Sequence, residues 1–258
     1  MRKYWQFFKM GFQQFLEYRL NFVWSTAGAV ISTLILYLFW TAILGSNPSH
    51  IVSGFSLGNY YLLISIIGAI TFSNFRPMAD DIWEGNLAID LLRPYNYVFK
   101  HFLFELPYKI TRLVLGITLI LLIGSFTGFK ISFFNGILLF ISVALATGVK
   151  FYLAFLIAGL AFWFKRVHGF NFLIFNSGAL FSGELIPLVF LPPAIDAISH
   201  YLPFRYLAYF PVQLGLGQLA TRQSFLGFAI LILWLALVVV LNKLIWAKGI
   251  AQFEASGR

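Results

Sequence analysis

The residues of this chain that could do chemistry are few, and most of them fall in one stretch. Ile82–Phe102 reads IWEGNLAIDLLRPYNYVFKHF and lies between long apolar runs. Charged side chains beside apolar ones, with a Gly-Asn break and an Arg-Pro stop, are typical of a short structured segment at a water-facing surface. Its ionisable residues are Glu84, Asp90, Arg93, Lys100 and His101.

A short helix is predicted around this stretch. Asp80 and Asp81 can start or cap it, because carboxylates accept hydrogen bonds from free N–H groups at a helix N-terminus. Gly85 can bend it, and Pro94 ends it, because proline disfavours the helical conformation of the residue before it. The residues leave two alternatives open: the segment docks on a soluble partner, or it packs on its own protein.

Two ionisable residues fall inside apolar runs, where a charge costs about 2.5–3.5 kcal/mol or more and needs a reason. Lys150, in ATGVKFYLAF, either extends toward the inner headgroups or lines the route of an anionic or polar substrate. Glu184, in SGELIP, either accepts from free backbone N–H groups where the helix breaks at Pro187, or is a polar contact at an outer gate. A pair between these two side chains stays open.

Motifs for ATP binding and for zinc hydrolysis are absent. None of the 21 glycines is followed by lysine, which excludes the phosphate-binding sequence G-x-x-x-x-G-K-[ST]. There is no H-E-x-x-H, and the chain has no cysteine to act as a thiolate metal ligand. We therefore expect no catalytic, cofactor or metal site. The histidines are scattered, which favours surface or interfacial positions: His50, His101, His168 and His200.

The composition is that of an integral membrane protein. Of the 258 residues, 60% are hydrophobic and 10% are charged, whereas soluble domains carry roughly 25% charge. The net charge of +9 is compatible with nucleic-acid binding. The basic residues, however, lie where the topology rule for membrane proteins places them, so we expect membrane lipids and no nucleic acid as partners.

Six membrane spans are predicted, because a span needs about 20 mostly apolar residues. The fourth run would be ~51 Å long as one helix and exceeds a ~30 Å hydrocarbon core, so we expect it to be tilted or broken near Gly148. The predicted spans are Leu20–Leu44, Leu57–Phe75, Ile110–Phe129, a part of Ile131–Phe164, Phe170–Leu191 and Phe225–Ile245.

The distribution of basic residues predicts the orientation. With the N-terminus inside, 14 of the 18 Lys and Arg residues fall in cytoplasmic segments and three in outer segments. This excess predicts cytoplasmic termini. Residues 76–109 then form a cytoplasmic loop, and residues 191–222 lie on the outer side.

The segments outside the spans also carry patterns. In residues 1–19, aromatic residues at helical spacing predict an amphipathic helix in the membrane interface, although a basic tail that only sets orientation stays open. Residues 191–222 are too rich in proline for one helix and too apolar for an exposed loop. We expect short re-entrant helices there, with Tyr206 and Tyr209 at the headgroup level beside Arg205.

Two motifs resemble one family. IWEGNLAIDLLRP, after the second span, resembles the cytoplasmic segment of ABC-2 type exporter permeases. FSGELIPLVFLPPAIDAISHYLPFRYLAYFPVQLGLGQ, Phe181–Gln218, resembles a signature stretch of one ABC-2 branch. The resemblance extends over essentially the whole chain, including the six spans and the leading helix.

The resemblance implies an all-α permease subunit in the cell membrane. It would form one transmembrane domain over residues 1–258, pair with a second permease chain, and be driven by cytoplasmic P-loop ATPase subunits that hold ATP and Mg²⁺. Residues Asp80–Arg93 would be the coupling helix that docks on the ATPase. The candidate docking residues are Asp80, Asp81, Trp83, Glu84, Gly85, Asp90 and Arg93, and the candidate pathway or gate residues are Lys150, Glu184, Pro187 and Arg205.

The sequence leaves two other functions open. An autonomous secondary transporter needs coupling carboxylates near the membrane midplane or inverted repeats, and neither is clear in the sequence. A lipid-modifying membrane enzyme needs His, Asp or Ser clustered at one interface, whereas the carboxylates here are spread around the predicted docking loop.

Overall fold

The computed structural model is all-helical over the residues it describes, which are 2–45, 56–164 and 167–253. Lys165 and Arg166, counted above as cytoplasmic, and His50 lie outside these residues. Short 3-10 turns occur at Leu160–Phe162 and Leu188–Phe190. The α-helices are α1 Arg2–Glu17, α2 Arg19–Leu44, α3 Leu57–Thr71, α4 Arg76–Trp83, α5 Leu87–Leu91, α6 Tyr97–Thr127, α7 Phe133–Gly159, α8 His168–Phe181, α9 Pro193–Ser199, α10 Pro203–Leu207, α11 Tyr209–Leu216 and α12 Thr221–Ala251.

Five segments of the described chain are long and apolar enough to cross a membrane. They agree with five of the predicted spans. The remaining predicted span, Phe170–Leu191, overlaps α8, His168–Phe181, whose 14 residues fall short of the ~20 that a span needs. The five segments are Arg19–Leu44, Leu57–Trp83, Tyr97–Thr127, Phe133–Phe162 and Thr221–Ala251.

The third long helix begins earlier than predicted. Residues 76–109 were expected to be a loop, but α6 starts at Tyr97, where the Asn96 side chain accepts a hydrogen bond from the Phe99 N–H at 2.9 Å. The prediction was wrong here because the charged residues of the first turns of α6 lower the local hydropathy. In the structure those charges have partners on neighbouring helices.

The predicted break near Gly148 was also wrong. Helix α7 is continuous from Phe133 to Gly159 and passes into the 3-10 turn at Leu160–Phe162. A Cβ at Gly148 would lie 3.3 Å from Leu235 Cδ1 of α12. This glycine therefore serves close helix packing rather than a kink.

Helix α7 lies at the centre of the bundle. Its faces pack against α3, α4, α11 and α12. Short helix α11 is itself buried in the protein, with Val212 and Leu214 almost inaccessible. Tyr206 and Phe210 are buried as well, so α10 and α11 fill space between the long helices. The expected headgroup level of Tyr206 and Tyr209 stays a prediction.

The N-terminal helix α1 packs along α6. Phe15 meets Tyr108 edge to face at 5.3 Å between ring centroids, and Gly11 permits a close approach, since a Cβ there would lie 2.4 Å from Phe104 O. The other side of α1 leaves Trp5 and Phe12 exposed. These two belong to the aromatic stripe that the sequence assigned to the membrane interface.

The tight contact of α12 with α11 generates a prediction on stability. A Cβ at Gly227 would lie 2.1 Å from Phe210 Cε2, so Gly227→Leu must displace a buried ring. We expect a loss of about 1–3 kcal/mol of stability and a lower thermal midpoint in detergent. Gly28→Leu is the control, because a Cβ at Gly28 meets no atom within 4 Å. An equal shift for both variants would contradict the packing described here.

Candidate functional site

The charged segment after α3 forms two short helices joined by a bend. Helix α4 ends at Trp83 and α5 begins at Leu87. Between them Gly85 has a φ of +82°, in the left-handed region that favours glycine. The predicted bend at Gly85 is confirmed. The prediction for Asp80 and Asp81 was wrong, because both lie in the second half of α4 and not at its N-terminus.

One side of this helix pair packs on the rest of the protein. Met78 and Ile82 of α4, together with Leu87 of α5, belong to a buried cluster that also contains Phe155 and Ala158 of α7. The alternative in which the segment packs on its own protein therefore holds for this side. The packing fixes the position of the segment on the end of the central helix.

The opposite side is exposed and mixes charged with apolar residues. Leu92 is 87% exposed, an extreme value for a leucine in a structured region. Leu91, the last residue of α5, is also exposed and lies within the predicted docking segment Asp80–Arg93. We name this face the docking surface; it consists of the exposed residues Arg76, Asp80, Glu84, Ile89, Leu91, Leu92 and Arg93.

Asp90 does not belong to that exposed face. It is only 8% exposed, and its carboxylate accepts a hydrogen bond from the Tyr95 hydroxyl and another from Lys100 Nζ at 2.5 Å. Burial first, and then the hydrogen bond to the Asp90 carboxylate, raises the pKa of Tyr95 above its ordinary value, so the hydroxyl stays a donor. In the structure Asp90 connects α5 to α6 on the buried side, and its role in docking stays a prediction.

Asp81 makes a second connection to α6. It accepts a hydrogen bond of 2.9 Å from the Tyr97 hydroxyl, and its Oδ2 lies 3.4 Å from His101 Nε2. Asp81, Asp90 and His101 offer ligand atoms within 4.8 Å of one another, which is close enough for one metal ion. Because the carboxylates already have Lys100 and tyrosine donors, we assign the group to holding α4 and α5 in place.

The break between α3 and α4 is bound by side chains from α6. Lys109 Nζ donates to Phe72 O at 2.5 Å and to Ser73 Oγ at 2.9 Å, and Arg112 Nη1 donates to Ala69 O at 2.9 Å. The last carbonyls of a helix lack helical partners and favour cations nearby. Glu105 completes the group by accepting from the Asn74 N–H at 2.9 Å.

Sequence reasoning missed the role of this α6 face. The sequence predicted this region only as part of the cytoplasmic loop and as a source of positive charges for the orientation, and indicated no role for Glu105, Lys109 or Arg112. Their spacing of four and three residues, on one face of a helix, is the signal that could have predicted a shared task.

A second candidate site is a cavity of about 590 Å³ between α2, α3 and α8. We name it the polar cavity. It holds both intramembrane charges predicted above, with Lys150 Nζ donating to Glu184 Oε1 at 3.3 Å. The structure therefore forms the pair that the sequence left open. The other polar residues of its wall are Ser32, Thr33, Ser65, Ser73, Asn74, Arg76 and Asn171.

Aromatic residues of α2 and α3 fix the turn that carries Glu184. The Tyr60 hydroxyl donates to Gly183 O at 2.8 Å, and Trp40 Nε1 donates to Leu185 O at 3.0 Å. Gly183 has a φ of +82°, and α8 has already ended at Phe181. The prediction that the helix ends at Pro187 was therefore wrong, because the chain leaves the helix at Ser182–Gly183.

The other two gate candidates lie apart from this pair. Pro187 precedes the 3-10 turn Leu188–Phe190. Arg205 binds Asp196 Oδ1 at 2.5 Å and Ser199 Oγ at 2.7 Å, which joins α10 to α9. Neither is among the described residues that line the polar cavity.

A comparison with known protein families identifies the family. The family model described as ABC-2 family transporter protein matches residues 27–257. The chain belongs to this family, and with its five long apolar helices it is a multi-pass transmembrane transport protein. No curated protein and no solved structure matches it.

The Asp90 ion pair yields a prediction. Asp90→Asn keeps the shape but removes the charge that Lys100 needs, so we expect a loss of about 1–3 kcal/mol of stability, measured by thermal or denaturant unfolding in detergent. Adding Lys100→Met to Asp90→Asn should recover part of the loss, because neither charge is then left alone. Asp80→Asn, at an exposed position of α4, is the control. Equal stability of Asp90→Asn and Asp80→Asn would show that the buried pair does not hold α5.

Proposed function

We propose that this ABC-2 family chain is the permease subunit of an ATP-driven exporter. It forms half of the transmembrane pathway with a second permease chain, identical or related. Separate cytoplasmic P-loop ATPase subunits bind ATP and Mg²⁺ and drive it, since the chain itself has no G-x-x-x-x-G-K-[ST] sequence. The observation that carries the proposal is the exposed docking surface on a rigidly held helix pair.

The chemistry of the docking surface supports a protein partner. Leu91 and Leu92 expose apolar area, and Asp80, Glu84 and Arg93 surround it with charge. An apolar centre with a charged rim is the usual composition of a protein interface. Because the buried side of α4 and α5 packs against the protein, the docking surface keeps its position when a partner binds to it.

The docking surface and the polar cavity share structure, which supports coupling between them. Arg76 begins α4 and also lines the polar cavity, as does Asn74, whose N–H is held by Glu105 of α6. A displacement of α4 by an ATPase therefore changes the wall of the cavity directly. In the proposed mechanism, ATP binding draws the docking helices of two permeases together, and hydrolysis resets them.

The polar cavity is the proposed substrate pathway. It extends from Arg76, a residue of the docking surface, to Glu184 and Leu185 in the turn held by Trp40. Serine and asparagine side chains line it between these ends. A route with hydroxyl and amide groups, and with one charge pair, suits an amphipathic or polar cargo.

The proposed placement in the cell membrane follows the basic residues of the sequence. Both termini are cytoplasmic, α1 lies in the inner interface with Trp5 and Phe12 toward lipid, and α4–α5 face the cytoplasm. The region of α8 supplies the sixth span, continued by the turn at Glu184. Helices α9–α11 form the re-entrant segment on the outer side.

The proposal is tested by purification of the full chain from its host in mild detergent. A P-loop ATPase should co-purify, and Leu92→Asp should reduce its yield by about tenfold or more, since loss of a central apolar contact costs about 2 kcal/mol. Tyr201→Asp is the control, because Tyr201 is similarly exposed, at 82%, and lies on the outer side in the proposed orientation. Absence of any ATPase with the unmodified chain would refute the proposal. Equal yields with both variants would place docking elsewhere.

The charge pair of the cavity gives a separate prediction. Glu184→Gln leaves Lys150 without its partner, so we expect ATP hydrolysis by the reconstituted complex to fall by about fivefold, with the amount of bound ATPase unchanged. The double variant with Lys150→Gln should recover activity. Glu17→Gln, on the exposed part of α1, is the control. Full activity of Glu184→Gln would remove the pair from the transport mechanism.

A further inference from the structure

A large cleft between α6, α7 and α12 has no role in the function proposed above. It measures about 960 Å³, at the upper end of the usual range for small-molecule sites. Among the described residues, none that lines it also lines the polar cavity. We name it the aromatic cleft.

The wall of this cleft is built from aromatic rings held by one another. Trp246 of α12 stacks on Tyr97 of α6 with 5.3 Å between ring centroids, and lies 4.9 Å from Phe155 of α7. On the other side, Phe102 meets Phe151 edge to face at 5.3 Å. Such a wall is apolar and rigid, and it suits a long hydrocarbon chain.

The length of the cleft matches one leaflet of a bilayer. It is lined along α12 from Trp246 to Leu235. Eleven residues of helix rise correspond to about 16 Å, and one leaflet contributes about half of a ~30 Å hydrocarbon core. A free phosphate or a soluble metabolite would leave most of this length empty.

One end of the cleft is polar and carries a cation. Lys243 lines this end, its side chain is exposed, and it forms no ion pair among the described residues. Asn96 adds an amide to the wall of the cleft. Asp90, the carboxylate among the described residues that line the cleft, is paired with Lys100. The end of the cleft therefore offers an uncompensated positive charge.

We propose that the aromatic cleft binds one anionic phospholipid of the inner leaflet. Its phosphate lies at Lys243, between Trp246 and the deeper part of the cleft, and its acyl chain runs from there along Phe151 and Leu235. This placement rests on the orientation given for the proposed function, in which the start of α6 and the end of α12 are cytoplasmic. Anionic lipids are concentrated in that leaflet, and a basic residue near its surface contributes about 1 kcal/mol to binding them.

A lipid bound in the cleft would affect the docking surface, because the two share structure. Asp90 and Tyr95, which tie α5 to α6, are part of its wall. A bound lipid excludes water from the Asp90–Lys100 pair and strengthens it, because charges attract more strongly at low dielectric. The lipid then stabilises the contact between α5 and α6 on the buried side of the docking surface.

The experiment uses the full chain in nanodiscs that contain phosphatidylglycerol and phosphatidylcholine in equal amounts. Native mass spectrometry after release should show phosphatidylglycerol retained over phosphatidylcholine by about fivefold. Lys243→Gln should abolish this preference. Lys248→Gln, an exposed lysine of the same helix end that does not line the cleft, should keep it. Equal retention of the two lipids by the unmodified chain, or an equal loss in the two variants, would overturn the proposal.

A second measurement locates the lipid without dependence on Lys243. Phosphatidylglycerol with bromines at the headgroup end of its acyl chains quenches tryptophan fluorescence on contact, and the difference between the unmodified chain and Trp246→Phe isolates the signal of Trp246. We expect this signal to be quenched more strongly by brominated phosphatidylglycerol than by brominated phosphatidylcholine. Equal quenching would overturn the proposal. Neither measurement needs the ATPase, so a failure here is distinct from a failure of the proposed exporter function.

Discussion

The structure depends on one constraint: a helix that ends inside a membrane protein must have its free carbonyls and its charges satisfied by the protein itself. Helix α3 ends at Thr71, and the carbonyls of Ala69 and Phe72 are bound by Arg112 and Lys109 of α6. This contact fixes α6 against α3 and determines where the chain leaves the bundle to form α4. The docking surface has its position because of it.

The same constraint governs the other end of the polar cavity. The chain leaves α8 at Ser182–Gly183, and the free carbonyls of the following turn are bound by Tyr60 and Trp40. Glu184 is thereby brought to Lys150, so that two charges which are each costly in the bilayer neutralise each other. Both ends of the cavity are thus built by polar side chains that satisfy an interrupted helix.

The proposed mechanism depends on these two interrupted helices. The interruption after α3 leads into the docking surface, and the interruption after α8 carries the charge pair; α3 contacts both. A movement imposed at α4 reaches the cavity through Arg76 and Asn74, which belong to its wall. The proposed lipid site lies on the other side of the Asp90–Lys100 pair. Membrane composition and ATPase docking would then act on the same two helices.

The sequence by itself determined the class of protein, five of the long helices and the bend at Gly85. Hydrophobic length and glycine conformation are local properties, so they can be read from neighbouring residues. It could not separate the two sides of the charged segment: Asp80 and Asp90 look alike in the sequence, yet one is exposed and the other binds Lys100. It also misplaced the start of α6 and the end of α8. Only the tertiary structure decided these, because the cost of a polar or charged group depends on its partner, and Lys109 with Phe72, or Lys150 with Glu184, are far apart in the chain and adjacent only after folding.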